Sequence, residues 1–165
     1  MSEQPEPKKA PSEEPKEAPK DNLVETQHTI TLNGKRLSYT VTCGTIVLKE
    51  ESEKKGENEG EAEGEKPKAT IFFVAYTLND TGEGQHPVDR RKRPITFSFN
   101  GGPGSSSVWL HLGVLGPRRV LMGDAGALLP PPYQLVDNAY SLLDETDLVF
   151  IDPVSTGFSR AVTQR

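Results

Sequence analysis

The stretch NGGPGSSS, residues 100–107, combines residue types that could act on an anion or on a carbonyl group. Glycines let backbone N–H groups approach a ligand closely, and a serine can act as a nucleophile. Three interpretations follow: a phosphate-binding loop, a loop that presents a nucleophilic serine, and a loop whose N–H groups bind an oxyanion.

The residues around the glycines argue against phosphate binding. A P-loop needs a lysine after its glycines, and the chain has no lysine beyond Lys92. The dinucleotide fingerprint G-x-G-x-x-G would need glycine where Ser107 stands. Its acidic residue would have to be Asp152, which follows the glycines by much more than the usual ~20 residues.

The serines also lack the setting of a nucleophile. The pentapeptide G-x-S-x-G, which presents a serine on a sharp turn, does not occur anywhere in the chain. Helix capping explains the serines at 105–107 equally well. The histidines have no obvious carboxylate partner in the sequence: His28, His86 and His111.

The oxyanion interpretation fits best. A strand-like segment, PITFSFN, precedes the glycines, and a segment with helical spacing follows them. A helix N-terminus behind such a loop favours negative charge. In α/β-hydrolases, one oxyanion donor comes from the loop after the third strand of the core sheet.

The elements around the loop predict an α/β sheet with an antiparallel edge. We interpret residues 23–99 as an antiparallel meander of four strands, with a hairpin turn at Asn33-Gly34. Further along the chain we expect a helix at 105–115, a helical turn at 138–145 and a buried parallel strand at 146–152.

Two charged segments are expected to be disordered: a tail at 1–22 and an insertion at 49–68. They carry the whole net charge of −5, because the other residues hold ten acids and ten bases. The predicted organisation is therefore a tail followed by one partial domain, 23–165, with the insertion inside it. The basic run at 90–93 is better explained as solvated side chains than as a nucleic-acid site.

Cys43 is the single cysteine, so an intrachain disulfide is impossible. The N-terminus has no apolar core of a signal peptide, and no apolar run approaches 18 residues. We therefore expect a protein of the reducing cytoplasm, with a leader removed beforehand as the alternative.

Taken together, three segments resemble the serine carboxypeptidase family of the α/β-hydrolase fold: FNGGPGSSS, then LGP at 115–117, then NAYSLLDETDLVFIDPVSTGFS at 138–159. The resemblance is close over 95–160 and looser over 28–80. The form with three serines and no cysteine in the loop is similar to the bacterial branch. The resemblance implies the N-terminal part of an α/β-hydrolase sheet, in incomplete form.

The resemblance also implies roles for single residues. Gly102 corresponds to the glycine whose N–H is one arm of the oxyanion hole, and Asn100 and Gly101 to the residues that bind the C-terminal carboxylate of the substrate. Ser105 stands where secreted members have a disulfide cysteine. Asp152 is expected to shape a loop near the site, since the acid of the triad comes later in this family.

The nucleophile elbow, the triad and the second oxyanion donor would all fall beyond Arg165. One hypothesis is an N-terminal fragment of a serine carboxypeptidase that is inactive alone. Its partner would be a peptide C-terminus, and it would use no cofactor, metal, nucleic acid or membrane. The other hypothesis is a non-catalytic binding or interaction protein derived from the family.

Overall fold

The computed structural model describes residues 18–53, 62–80, 88–101 and 104–162. A mixed sheet of α/β type dominates this part, with the strand order β1-β2-β3-β7-β4, and β8 also pairs with β3. A separate ribbon joins β5 and β6. The strands are β1 (Asn22–Leu32), β2 (Lys35–Glu53), β3 (Ala62–Asp80), β4 (Ile95–Ser98), β5 (Arg118–Val120), β6 (Leu135–Asp137), β7 (Asp147–Ile151) and β8 (Arg160–Ala161).

The predicted hairpin at Asn33-Gly34 is confirmed. Leu32 pairs with Lys35 across the turn, and β1 and β2 run antiparallel from there. Both turn residues have positive φ, 51° at Asn33 and 76° at Gly34. This is the turn geometry that matches the twist of paired strands, and Asn-Gly adopts it readily.

The structure differs from the expectation for 49–68 at both ends of that segment. Strand β2 continues to Glu53 and β3 begins at Ala62, in antiparallel register that pairs Lys49 with Pro67. Ion pairs cross the ribbon from Lys49 to Glu65 and from Lys68 to Glu50. The strand hydrogen bonds and these opposite charges order residues that have almost no apolar surface to bury. Residues 54–61 and 1–17 lie outside the described residues, so the predicted disorder there stays a prediction.

The four-stranded meander is right for its first three strands and wrong for the fourth. Strand β7 lies between β3 and β4, antiparallel to β3 and parallel to β4. The long connection from residue 99 to residue 146 makes this order possible, because parallel neighbours need a crossover. The buried parallel strand predicted at 146–152 is confirmed as β7.

One face of the sheet forms the core. Its buried side chains come from β1, β2, β3 and β7 and from the turn before β7: Ile30, Leu32, Leu37, Tyr39, Val74, Tyr76, Leu78, Leu143, Leu148 and Phe150. Leu110 and Leu115 pack against this cluster from the helical segment. That segment therefore lies over the sheet next to the ends of β4 and β7.

The helical segment is shorter than predicted and changes geometry. An α-helical turn α1 (Val108–Leu110) passes into a π-helical turn (His111–Leu115), and a 3-10 turn follows at Asp124–Gly126. Residues 138–145, for which a helical turn was predicted, form turns, and a bond with α-helical spacing occurs only at their end, from the Thr146 N–H to the Leu142 carbonyl. In the described ranges, no helix combines the length and the apolar character that crossing a membrane requires.

Asn138, in these turns, closes the end of the π-helical turn. Its Nδ2 donates to the carbonyl oxygens of Val114 and Gly116, and the Ser141 hydroxyl donates to that of Leu115. Carbonyls at a helix end have no partner within the helix, so buried Asn138 acts here as a side-chain cap. No sequence pattern indicated this role.

Candidate functional site

The glycine loop leaves the sheet at the carboxyl end of β4, directly beside β7. Ser98, the last residue of β4, is buried and pairs with Phe150 of the parallel strand β7. In open α/β sheets, ligands bind outside the carboxyl ends of parallel strands. The position of the loop is therefore that of a ligand-binding loop.

The side-chain amide of Asn100 is held in place through its nitrogen, whereas no described residue bonds to its oxygen. Its Nδ2 donates to the Ser105 hydroxyl at 3.2 Å, which closes the loop on itself. Its Oδ1 is buried and has no hydrogen-bond partner among the described residues. A buried polar atom without a partner costs about 1–3 kcal/mol, so this oxygen marks a place where a ligand donor would be favourable.

The glycines of the loop differ in what they require. Gly104 has φ of +80°, a conformation that side chains disfavour. Gly101 is exposed, and a Cβ there would meet no atom of the described structure within 4 Å. Gly102 lies outside the described residues, so its assignment as an oxyanion donor stays a prediction.

Ser107 ends the loop, and its contacts differ from those of an ordinary cap. It occupies the N-cap position of α1 but makes no side-chain capping bond. Its hydroxyl instead donates to the Ile151 carbonyl, and its N–H donates to Asp152 Oδ1 at 2.9 Å. The end of the loop is thus attached to the end of β7.

Asp152 lies at the centre of a buried network. Its Oδ2 accepts the Phe158 N–H at 3.2 Å, and its carbonyl accepts the hydroxyl of Ser159 at 2.6 Å. These contacts agree with a loop-shaping role. The resemblance of 138–159 to the family had marked Asp152 as a loop-shaping residue, but nothing in the sequence pointed to Ser107 as its partner.

His111 is half-buried beside the loop and is hydrogen-bonded to Tyr76, with 2.5 Å between His111 Nε2 and the Tyr76 hydroxyl oxygen. The imidazole stacks on Phe150, with 4.7 Å between ring centroids. Burial lowers the pKa of His111 to about 4, although the negative charge of Asp152 opposes the shift. Burial also raises the pKa of Tyr76. This histidine is therefore neutral near pH 7.

Of the other two histidines, the structure describes only His28, which does not contribute a base to the loop. His28 is exposed on β1 and bonds to Thr26, and His86 lies outside the described residues. Across residues 18–53, 62–80, 88–101 and 104–162, no three His, Cys, Asp or Glu side chains come together as a metal site would require.

A large open cavity of the described part lies away from the loop. It measures about 710 Å³ on the outer face of β1 to β3, and its lining includes Thr40, Asn79 and Arg90. These side chains bond to one another, since Asn79 bridges the Thr40 hydroxyl and the Arg90 guanidinium. The cavity is a solvated polar sheet face, and the loop remains the better candidate site.

The loop, the LGP turn and the Asp152 loop all lie within one match to a known family. The sequence model of the serine carboxypeptidase family matches residues 62–165. This is more than half of the chain, and the chain belongs to the serine carboxypeptidase family. No curated protein matches it.

Proposed function

We propose that this chain carries the oxyanion and carboxylate-binding loop of a serine-type carboxypeptidase with an α/β-hydrolase sheet. Family membership supports a hydrolase that acts on peptides. The finer assignment rests on one observation: Ser105 holds the Asn100 amide, and the buried Oδ1 has no hydrogen-bond partner among the described residues.

The Asn100 amide suits the last residue of a peptide. One hydrogen of Nδ2 goes to Ser105, and the second is available to donate to a carboxylate oxygen. The Oδ1, which has no partner among the described residues, can accept a donor from the same ligand, such as the N–H of the C-terminal residue. A neutral amide can thus recognise a carboxylate without burying a positive charge.

The proposed role of Gly102 is electrostatic. When a serine attacks the scissile carbonyl, negative charge develops on the carbonyl oxygen, and preorganised N–H donors stabilise it. Loss of one such donor costs about 2.7–4 kcal/mol of transition-state stabilisation. The G-x-S-x-G nucleophile motif does not occur in these 165 residues, so we propose that the chain alone does not hydrolyse peptides.

Titration of the 165-residue chain with a short peptide, followed by NMR, tests carboxylate binding. We expect the side-chain amide signal of Asn100 to shift with a peptide that has a free C-terminus and not with its C-terminal amide. Asn100→Ala removes this reporter, so its binding is followed by the backbone amide signals of Gly101 and Ser105, which should no longer shift. Ser105→Ala should weaken the response by releasing the amide. Equal responses to the two peptides would contradict the proposal.

A fluorophosphonate probe tests the proposal that the chain alone carries no nucleophilic serine and does not hydrolyse peptides. We expect no labelling of the chain under conditions that fully label an active serine hydrolase. Labelling of Ser105, Ser106 or Ser107, located by mass spectrometry, would show that the loop presents a nucleophile and would overturn the donor assignment.

A further inference from the structure

We propose that Asp152 is a positioning residue for the loop at 100–107, which it holds to the end of β7. The inference rests on the proposed function of that loop. Asp152 itself is not placed to touch substrate, since its carboxylate faces backbone N–H groups inside the protein.

Both oxygens of the Asp152 carboxylate are engaged by different segments. Oδ1 accepts the N–H of Ser107, at the end of the glycine loop, and Oδ2 accepts the N–H of Phe158. The residue is only 6% exposed. Hydrogen bonds to an ionised acceptor are about twice as strong as neutral ones, so the carboxylate links the two loops more firmly than a neutral side chain would.

The main chain of Asp152 anchors this link to the sheet. Its N–H donates to the Phe72 carbonyl of β3 at 3.0 Å. The hydroxyl of Ser159 donates to the Asp152 carbonyl and accepts the Phe72 N–H at 2.8 Å. The carboxylate therefore projects from a rigid position.

Gly157 provides the room that the carboxylate needs. Its φ is +45°, and a Cβ at this position would overlap Asp152 Oδ2. Any side chain at 157 would displace the carboxylate from the Ser107 N–H. A substitution at Gly157 thus disturbs the contact while leaving the charge in place.

The contact between Asp152 and Ser107 affects Asn100 because both ends of the loop are held. Ser98 holds one end in β4, and Ser107 holds the other through Asp152 and the Ile151 carbonyl. The bond from Asn100 to Ser105 spans the segment between these ends. Release of Ser107 should let this bond open.

NMR of the 165-residue chain tests the proposal with Asp152→Asn and Gly157→Ala. In Asp152→Asn, an NH2 group replaces one carboxylate oxygen. Either the Ser107 N–H or the Phe158 N–H then faces a donor instead of an acceptor. Both variants should move the Asn100 side-chain signals towards those of a free asparagine and weaken binding of a free-C-terminus peptide at least fivefold. Leu37→Ala, a core change on β2 far along the sheet, controls for general destabilisation.

The results separate this inference from the proposed function. If the native chain binds no peptide, the proposed function fails, and the Asn100 signals still decide whether Asp152 positions the loop. If Asp152→Asn does not fold, Gly157→Ala decides. Asn100 signals that change no more than in Leu37→Ala would overturn the inference.

Discussion

Arg93 lies against Asp147, with 2.6 Å between Arg93 Nε and Asp147 Oδ1, and their side chains are only 8% and 16% exposed. The guanidinium also donates to the carbonyl oxygens of Leu143 and Asp144. Asp147 accepts the Leu78 N–H at 3.0 Å as well. The pair therefore joins the start of β4 to β7 and to the end of β3, and Arg93 is a structural residue within the basic run.

Removal of either partner should be strongly destabilising. Arg93→Ala or Asp147→Ala leaves a buried charge without its partner, which costs about 3–5 kcal/mol. Urea unfolding followed by circular dichroism measures the loss. Lys92→Ala is the matched control, because Lys92 and Asp89 form an exposed pair and such pairs contribute about 0–1 kcal/mol. Equal losses in Arg93→Ala and Lys92→Ala would contradict the structural role.

His111 should make the folded state sensitive to acid. Its pKa is lowered to about 4 in the folded protein, against about 6.5 in the unfolded chain. The unfolded chain binds the proton more readily, so this contribution is complete above pH 6.5 and is lost as the pH falls towards 4. His111→Gln should flatten that part of the stability profile in urea unfolding from pH 4 to 7.5.

The comparison of His111→Gln with the native chain isolates the contribution of this one histidine. If the unfolding free energy of His111→Gln falls with pH as steeply as that of the native chain, carboxylates alone cause the acid sensitivity.

Ser155 should be replaceable by glycine with a gain in stability. Its φ is +70°, in the left-handed region that residues with a Cβ disfavour. Ser155→Gly removes this strain at the expense of chain entropy, and we expect a net gain of about 0.5–1 kcal/mol. Thermal unfolding measures it, with Ser155→Ala as the control that keeps the Cβ. A lower midpoint for the glycine variant would contradict the prediction.

Phe97 should promote self-association of the chain. It is 56% exposed on β4, next to Ile95 at 55%, and among the described strands β4 pairs with β7 alone. An open strand edge with apolar side chains favours pairing between molecules. Phe97→Lys should lower the mean mass in sedimentation velocity, whereas Thr29→Lys on the exposed face of β1 should not. Unchanged sedimentation of Phe97→Lys would exclude this edge as the cause.

Much of the fold could be predicted because its signals are local. The Asn33-Gly34 turn and the alternating strands around it define a hairpin within a few residues of chain. The position of β7 between β3 and β4 could not be predicted in this way, since an apolar strand pattern does not specify which strands it pairs with. The charged ends of 49–68 were also misjudged, because their order depends on strand pairing and not on a core.

The sequence by itself led to the prediction of what the loop does chemically. NGGPGSSS without the P-loop lysine and without G-x-S-x-G predicts backbone donors, and the longer pattern through Asp152 indicates the family. Only the tertiary structure decided how the loop is held: Ser107 meets a carboxylate 45 residues away, and His111 is made neutral by burial under Tyr76 and Phe150. The physical reason is that motifs are local in the chain, whereas burial and hydrogen-bond partners depend on which strands lie side by side.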